Sequence, residues 1–287
     1  MKVIVLIRIP QSNQSPHAIN QNTQVYIRTN NRNTPEKLAS LDKIYWLKDK
    51  RDNSLQLRSR LIKNANERFR RILTNNQEIS NLKENSWLTI LMLPLFPEKY
   101  YLSPPKLNES VFGISVKDVF MTSRKFPISE KDYEGTLFQD GTVLDYYYNE
   151  RAYYSELNCF GLFFYKQNLY SRLKNKEEKD NPTIRFAEVV ARLHNYFEFA
   201  KNFYNLIGYK GYLYFLYKIE NLDKYPLFLN NELKHSIDDS LIVSKEYKIQ
   251  ELENPSISLY VDALTKLSWA YNFNITESFI DSILKKF

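Results

Sequence analysis

Seven short runs of aromatic, β-branched and leucine residues between Trp87 and Ile249 constrain this chain more than anything else in it. They are Trp87 to Leu93, Val111 to Val116, Thr136 to Gln139, Thr142 to Tyr148, Phe160 to Lys166, Tyr212 to Ile219 and Leu241 to Ile249. Runs of this length and composition read as strands. Asp140-Gly141, between two alternating runs, is a tight-hairpin signal. Helical spacing takes over at Thr183 to Ile207, opened by Asn181-Pro182 and stopped by Gly208 at the position after the helix, where a left-handed residue is needed. Two further helices are predicted, Ser256 to Tyr271 after Asn254-Pro255, and Thr276 to Phe287 with Thr276 as cap. The class is therefore α+β: residues 86–287 form an aromatic-rich domain, a mixed or antiparallel sheet covered by about three helices. With 43% hydrophobic and 25% charged residues and a mean hydropathy of −0.50, the composition is that of a soluble globular protein.

Charge is distributed unevenly along the chain. Met1 to Leu73 carries 15 Lys and Arg against 5 Asp and Glu, a net of +10, whereas the remainder carries 25 against 28, a net of −3. A basic head on a mildly acidic body favours a polyanion as partner. After a predicted break at Asp52-Asn53-Ser54, a helix over 55–73 sets Leu55, Ile62, Ala65, Phe69 and Ile72 on one stripe, with Leu61 and Leu73 beside it. Its other face carries Arg58, Arg60, Lys63, Arg68, Arg70 and Arg71. Residues 53–85 are thus a basic amphipathic helix and linker. Such a run is ordinarily a solvated helix face, but the surplus here is nearly all of one sign.

Ahead of that helix, Val3 to Ile9 reads as a strand buried on both faces and Gln24 to Arg28 as an alternating strand. A long polar loop joins them, and the stretch Gln11 to Asn33 holds ten Asn and Gln and no acid. A helix follows, with Thr34 as cap, Pro35 at its first position and Leu38, Leu41, Ile44, Tyr45 and Leu47 at helical spacing. This order, with Ile9-Pro10, Pro16-His17, Tyr26-Ile27-Arg28-Thr29, Leu38 and Leu41, resembles the closing part of the Schlafen AlbA-type domain. The resemblance covers residues 3–51. It implies a DNA-binding module in residues 1–52, with Arg28 and Arg32 on the contact surface, and a role in transcriptional regulation. Two departures accompany it. Asn30-Asn31 stand where glycine is expected, and Asn tolerates a positive φ better than most residues. The family's acidic and glycine-rich strands would lie before Met1, so the resemblance implies an N-terminally truncated domain. An edge left open on Val3 to Ile9 would invite self-association or capture of an upstream-encoded segment.

Six glycines, at 113, 135, 141, 161, 208 and 211, permit neither a GxxxxGK[ST] nor a GxGxxG phosphate loop. His17, His194 and His235 show no metal-ligand spacing, so no metal and no cofactor are expected. Cys159, the single cysteine, excludes an internal disulfide, suits the cytoplasm and, ahead of Phe160, reads as a buried thiol. No apolar run is long enough to span a membrane. Glu134, Asp140, Asp145, Glu150 and Glu156 are the carboxylates a metal-dependent nuclease would draw on. Tyr146, Tyr147, Tyr148, Tyr153, Tyr154, Phe160, Phe163, Phe164 and Tyr165 could form a base-stacking platform, though core packing explains them better. The expected function is nucleic-acid binding through Arg28, Arg32, Arg58, Arg60, Lys63, Arg68, Arg70 and Arg71, with no catalytic residue in the chain. The alternative is a Schlafen-like nuclease or ATP-binding regulator whose catalytic half is missing or encoded upstream.

Overall fold

The computed structural model describes residues 41–75, 80–117, 125–127, 135–148, 151–169, 171–172, 182–253 and 257–287. The N-terminal strands, with His17, Arg28 and Arg32, lie outside these residues, as do Glu134 and Glu150. In chain order the elements are α1 (Leu41–Asn75), β1 (Trp87–Pro94), α2 (Pro104–Ile114), β2 (Val116–Lys117), β3 (Lys125–Phe126), β4 (Thr136–Phe138), β5 (Gly141–Tyr148), β6 (Arg151–Asn158), β7 (Phe163–Asn168), β8 (Ser171–Arg172) and β9 (Pro182–Arg185). The second half holds α3 (Phe186–Leu206), β10 (Tyr212–Glu220), β11 (Leu227–Leu229), β12 (Glu232–Lys234), β13 (Ser240–Lys248), α4 (Ile249–Glu253), α5 (Ser258–Ala270) and α6 (Glu277–Leu284).

The α+β class is as expected. Among the described residues, seven strands form one antiparallel sheet in the order β13-β10-β1-β7-β6-β5-β4. Strand β1 is buried along its whole length because both of its faces are covered. Leu88, Ile90 and Met92 point to the α3 side, and Trp87, Leu91 and Leu93 point to the α1 side. On the α3 side, Phe163 stacks on Tyr196 with centroids 4.2 Å apart, and Phe199 and Phe203 pack beside it. Helix α3 is buried nearly all round, since the sheet lies under it and α5 and α6 pack on it. The smaller sheet β12-β11-β9-β8 is mixed, with β11 parallel to β9. No helix among the described residues is long and apolar enough to cross a membrane.

Several local expectations are corrected. Residues 52–54 do not interrupt a helix, because α1 runs unbroken for 35 residues. The propensity deficit of Asp52, Asn53 and Ser54 is only about 0.5 kcal/mol each, and Ser54 is itself buried. Continuing an existing helix is cheaper than nucleating a second one. The run Val111 to Val116 is mostly helical. Ser103 precedes two prolines at the start of α2, proline fixes a helical φ, and Leu107 and Val111, four residues apart, are both buried. The run at 160–166 begins later, at Phe163, because the Asn158 side chain accepts from the Phe160 and Leu162 amides and closes a turn through Gly161 at φ 86°. Strand β6 is an addition to the predicted runs, and residues 182–185 are a strand, not the first turn of α3. Long-range pairing with β8 and β11 decides that segment.

The expected hairpin forms, but its turn residues are Gln139-Asp140, one residue before Asp140-Gly141, and neither has a positive φ. Gly141 is required for another reason: a Cβ there would lie 2.1 Å from the Leu157 carbonyl oxygen on β6. The two-residue turn with positive φ is Asn230-Asn231, between β11 and β12. Gly208 ends α3 at φ 65°, and Thr276 Oγ1 accepts from the Phe279 amide at 3.3 Å, both as expected.

Candidate nucleic-acid interface

Helix α1 turns one narrow apolar seam to the sheet. Leu61, Ala65, Phe69 and Leu73, spaced at i and i+4, are buried against Trp87, Leu91, Tyr154 and Phe164. At about 100° of rotation per residue, Arg60, Lys63, Arg70 and Arg71 fall in an arc of roughly 100° on the opposite side, and all four are exposed.

The structure divides the predicted basic set. Arg68 turns inward, donating from Nε to Glu156 Oε2 at 2.9 Å and from Nη2 to Oε1 at 2.6 Å. The carboxylate is fully buried on β6, and the Tyr154 hydroxyl donates to it at 2.9 Å. Burial alone would lower the Arg68 pKa. The hydrogen bonds and charge of Glu156 outweigh it, so the pKa is raised. Burial first, and then Glu156, push the Tyr154 hydroxyl strongly upward. The Arg68 guanidinium also lies 4.2 Å from the Phe138 ring centre. Arg58 is half-buried, with its guanidinium 4.5 Å from the Tyr214 ring and Nη1 3.4 Å from the Leu95 carbonyl oxygen. Arg58 and Arg68 therefore fasten the helix, while Arg60, Lys63, Arg70 and Arg71 remain outside. Within the sequence, the one sign of this division is the placement of Glu156 directly after Tyr153-Tyr154-Ser155 and before Leu157.

Helix α1 covers β1 and β7 but leaves β10 and β13 half-open. Burial along β10 alternates strictly, and the even-numbered residues that face the α1 side are only half-buried. In that opening the Lys166 and Lys218 ammoniums both donate to Glu220, at 2.8 and 2.7 Å. Lys166 also lies 4.7 Å from the Phe69 ring centre. Burial lowers the Lys166 pKa despite Glu220, and nearby Lys218 and Arg70 add to the effect. The Glu220 carboxyl would be raised by burial, but its two lysines bring it below its ordinary value. Nothing in the sequence singles out either lysine or Glu220, which sit in strand runs without a motif.

Other candidates fall differently. Tyr154, Phe163, Phe164 and Tyr165 are fully buried core residues. His194 is half-buried near Tyr260 and has its pKa lowered by burial. Cys159 is buried, its thiol pushed up to about 11 by desolvation and Asp140. A buried polar cluster on the α3 side has no counterpart among the sequence motifs: Gln167 bridges the Tyr165 hydroxyl, at 2.6 Å, and Glu188, at 3.2 Å, with Arg151 3.7 Å from that carboxylate. Among the described residues, no three of His, Cys, Asp and Glu come together as a metal site. No protein family, curated protein or solved structure matches the chain.

Proposed function

We propose that this chain is a nucleic-acid-binding protein that grips backbone phosphates through the outer face of α1. The observation that carries this reading is the arrangement of Arg60, Lys63, Arg70 and Arg71: four exposed cations on a single arc of a 35-residue helix fixed to a sheet, with Glu67, 3.8 Å from Lys63, the one carboxylate among them between residues 60 and 71. A rigid cationic row matches the repeating charge of a nucleic-acid strand and needs little ordering on binding. The resemblance of residues 3–51 to a Schlafen AlbA-type domain supports the same class, with Arg28 and Arg32 extending the contact.

Phosphate contacts release counterions, so four contacts give a slope of log affinity against log salt of about −3 to −4. Titrating a labelled duplex and a labelled single strand between low and moderate salt measures it. Changing Arg60, Lys63, Arg70 and Arg71 together to Glu should abolish binding with an unchanged circular dichroism spectrum. Retained affinity in that folded variant would overturn the proposal.

A further inference from the structure

The half-open side of α1 encloses a cleft of about 790 Å³ whose floor is Thr89, Lys166 and Lys218 and whose wall includes Lys63 and Arg70. The floor follows from the sheet register. Thr89 on β1 pairs directly with Lys218 on β10 and with Lys166 on β7, so the hydroxyl sits between two lysines on neighbouring strands. Odd-numbered β1 residues face α1, which turns Thr89 into the cleft. Thr89 is 3% exposed, and its Oγ1 has no hydrogen-bond partner among the described residues. A buried hydroxyl without a partner is costly to keep in a strand where valine has the same shape.

Charge in the cleft is also unbalanced. The lining holds Lys63, Arg70, Lys83, Lys166 and Lys218 against only Glu67 and Glu220, five cations to two carboxylates. Glu220 already bridges both floor lysines. It holds their ammoniums in place while neutralising only one of them. Such a site favours a compact anion carrying two charges over a singly charged diester, because opposing charges gain most in a partly desolvated concavity. Apolar residues Leu73, Leu216 and Ile242 also line the cleft, leaving room beside the anion for a less polar group. The volume lies in the range of small-molecule sites.

We infer that this cleft binds a phosphomonoester, with the Thr89 hydroxyl donating to a phosphate oxygen and Lys166, Lys218 and Arg70 supplying the charge. Side chains here do the work that backbone amides do in glycine-rich phosphate loops, consistent with the absence of any such loop motif. The site shares Lys63 and Arg70 with the outer row of α1, whose Arg60 and Arg71 do not line it. The phosphomonoester can belong to a free nucleotide or to the 5′ end of a strand.

The test is calorimetry on the full chain with inorganic phosphate, adenosine 5′-monophosphate, and one oligonucleotide carrying either a 5′-phosphate or a 5′-hydroxyl. Adenosine 5′-monophosphate should bind and adenosine should not. Thr89→Val should weaken the nucleotide about tenfold, the loss of one charge-assisted hydrogen bond. The same variant should raise the melting temperature of the unliganded protein by about 2 °C, because it removes a buried unpaired hydroxyl. Lys218→Gln, at the half-exposed lysine of the floor, should also weaken binding without unfolding the protein. A preference for the 5′-phosphate strand, lost in Thr89→Val, assigns the strand end as the source, whereas binding of the free nucleotide with no such preference assigns the nucleotide. Reversal of Arg60 and Arg71 should reduce strand affinity and leave the nucleotide unaffected, so that the failure of either proposal is seen separately. Equal affinity of Thr89→Val and wild type, or no binding of phosphate or nucleotide, overturns the inference.

Discussion

The two faces of the large sheet are closed in different ways. On the α3 face, aromatic rings interlock: Phe163 stacks on Tyr196, whose hydroxyl donates to the Phe163 carbonyl oxygen at 2.6 Å. Phe197, Phe215, Tyr247 and Tyr260 continue the layer with tilted and edge contacts. On the α1 face a single helix lies on a narrow apolar seam and is fastened by charged groups, Arg68 to Glu156 above all. The aromatic layer gains its stability from area and shape, without direction. A seam of four residues cannot do as much, and directional contacts fix its place. That difference explains why a charged cleft occurs on the α1 face, where part of β10 and β13 is left uncovered.

The comparison is broken most severely by removing the fastening. Arg68→Ala leaves Glu156 fully buried without its cation, and losing one partner of a buried pair costs about 3–5 kcal/mol. Replacing both, as Arg68→Met with Glu156→Leu, should recover most of that loss, because no charge is then left behind. Urea unfolding of wild type, single and double variants decides it. If Arg68→Ala stays within about 1 kcal/mol of wild type, the seam alone holds α1.

A smaller effect is expected at Glu220, which two lysines hold below its ordinary value of 4.5. A carboxyl whose folded pKa is depressed contributes stability that is complete above its unfolded value and disappears as pH falls through the folded one. Glu220→Gln should therefore cost about 1.5–3 kcal/mol at neutral pH, the range for hydrogen bonds to charged groups. The gap between the two proteins should close as pH falls below 4.5. Unfolding curves at a series of pH values measure it, and a gap independent of pH would show that Glu220 acts by packing alone.

The two faces also differ in how legible they are in the chain. The aromatic face can be read there, since β1, β5, β10 and β13 are runs of strand-forming residues and α3 has a clear period and a glycine stop. The α1 face can be read only in part. Its periodicity specifies the helix and its composition the charge, but nothing local says that Arg68 and Arg58 turn inward while Arg60 and Arg71 turn outward. That division depends on Glu156, 88 residues along the chain, and on Tyr214, which lies on β10 under the Arg58 guanidinium. The cleft is illegible for the same reason: Thr89, Lys166 and Lys218 are single residues on three strands, made neighbours by antiparallel register. Strand β6 escapes because its buried Glu156 breaks the apolar pattern, and α2 because its β-branched residues outweigh the Ser103-Pro104-Pro105 start.

The smallest effect sharpens the comparison within α1 itself. If the inward arginines hold the helix and the outward ones do not, Arg60→Ala and Arg71→Ala should each change stability by less than about 0.5 kcal/mol, as exposed substitutions do away from specific contacts. Both side chains are exposed on the outer arc of the helix, and alanine is the best helix former, so any change should be slightly favourable. The same two variants should nonetheless lower the affinity for a nucleic-acid strand and make it less sensitive to salt, by roughly one unit of slope for every phosphate that is no longer neutralised. Thermal unfolding together with strand titration at two salt concentrations reads both quantities from one preparation. A loss of stability beyond about 1 kcal/mol in either variant would mean that the outer row also holds α1 in place, and that the charges there cannot be separated into fastening and binding sets.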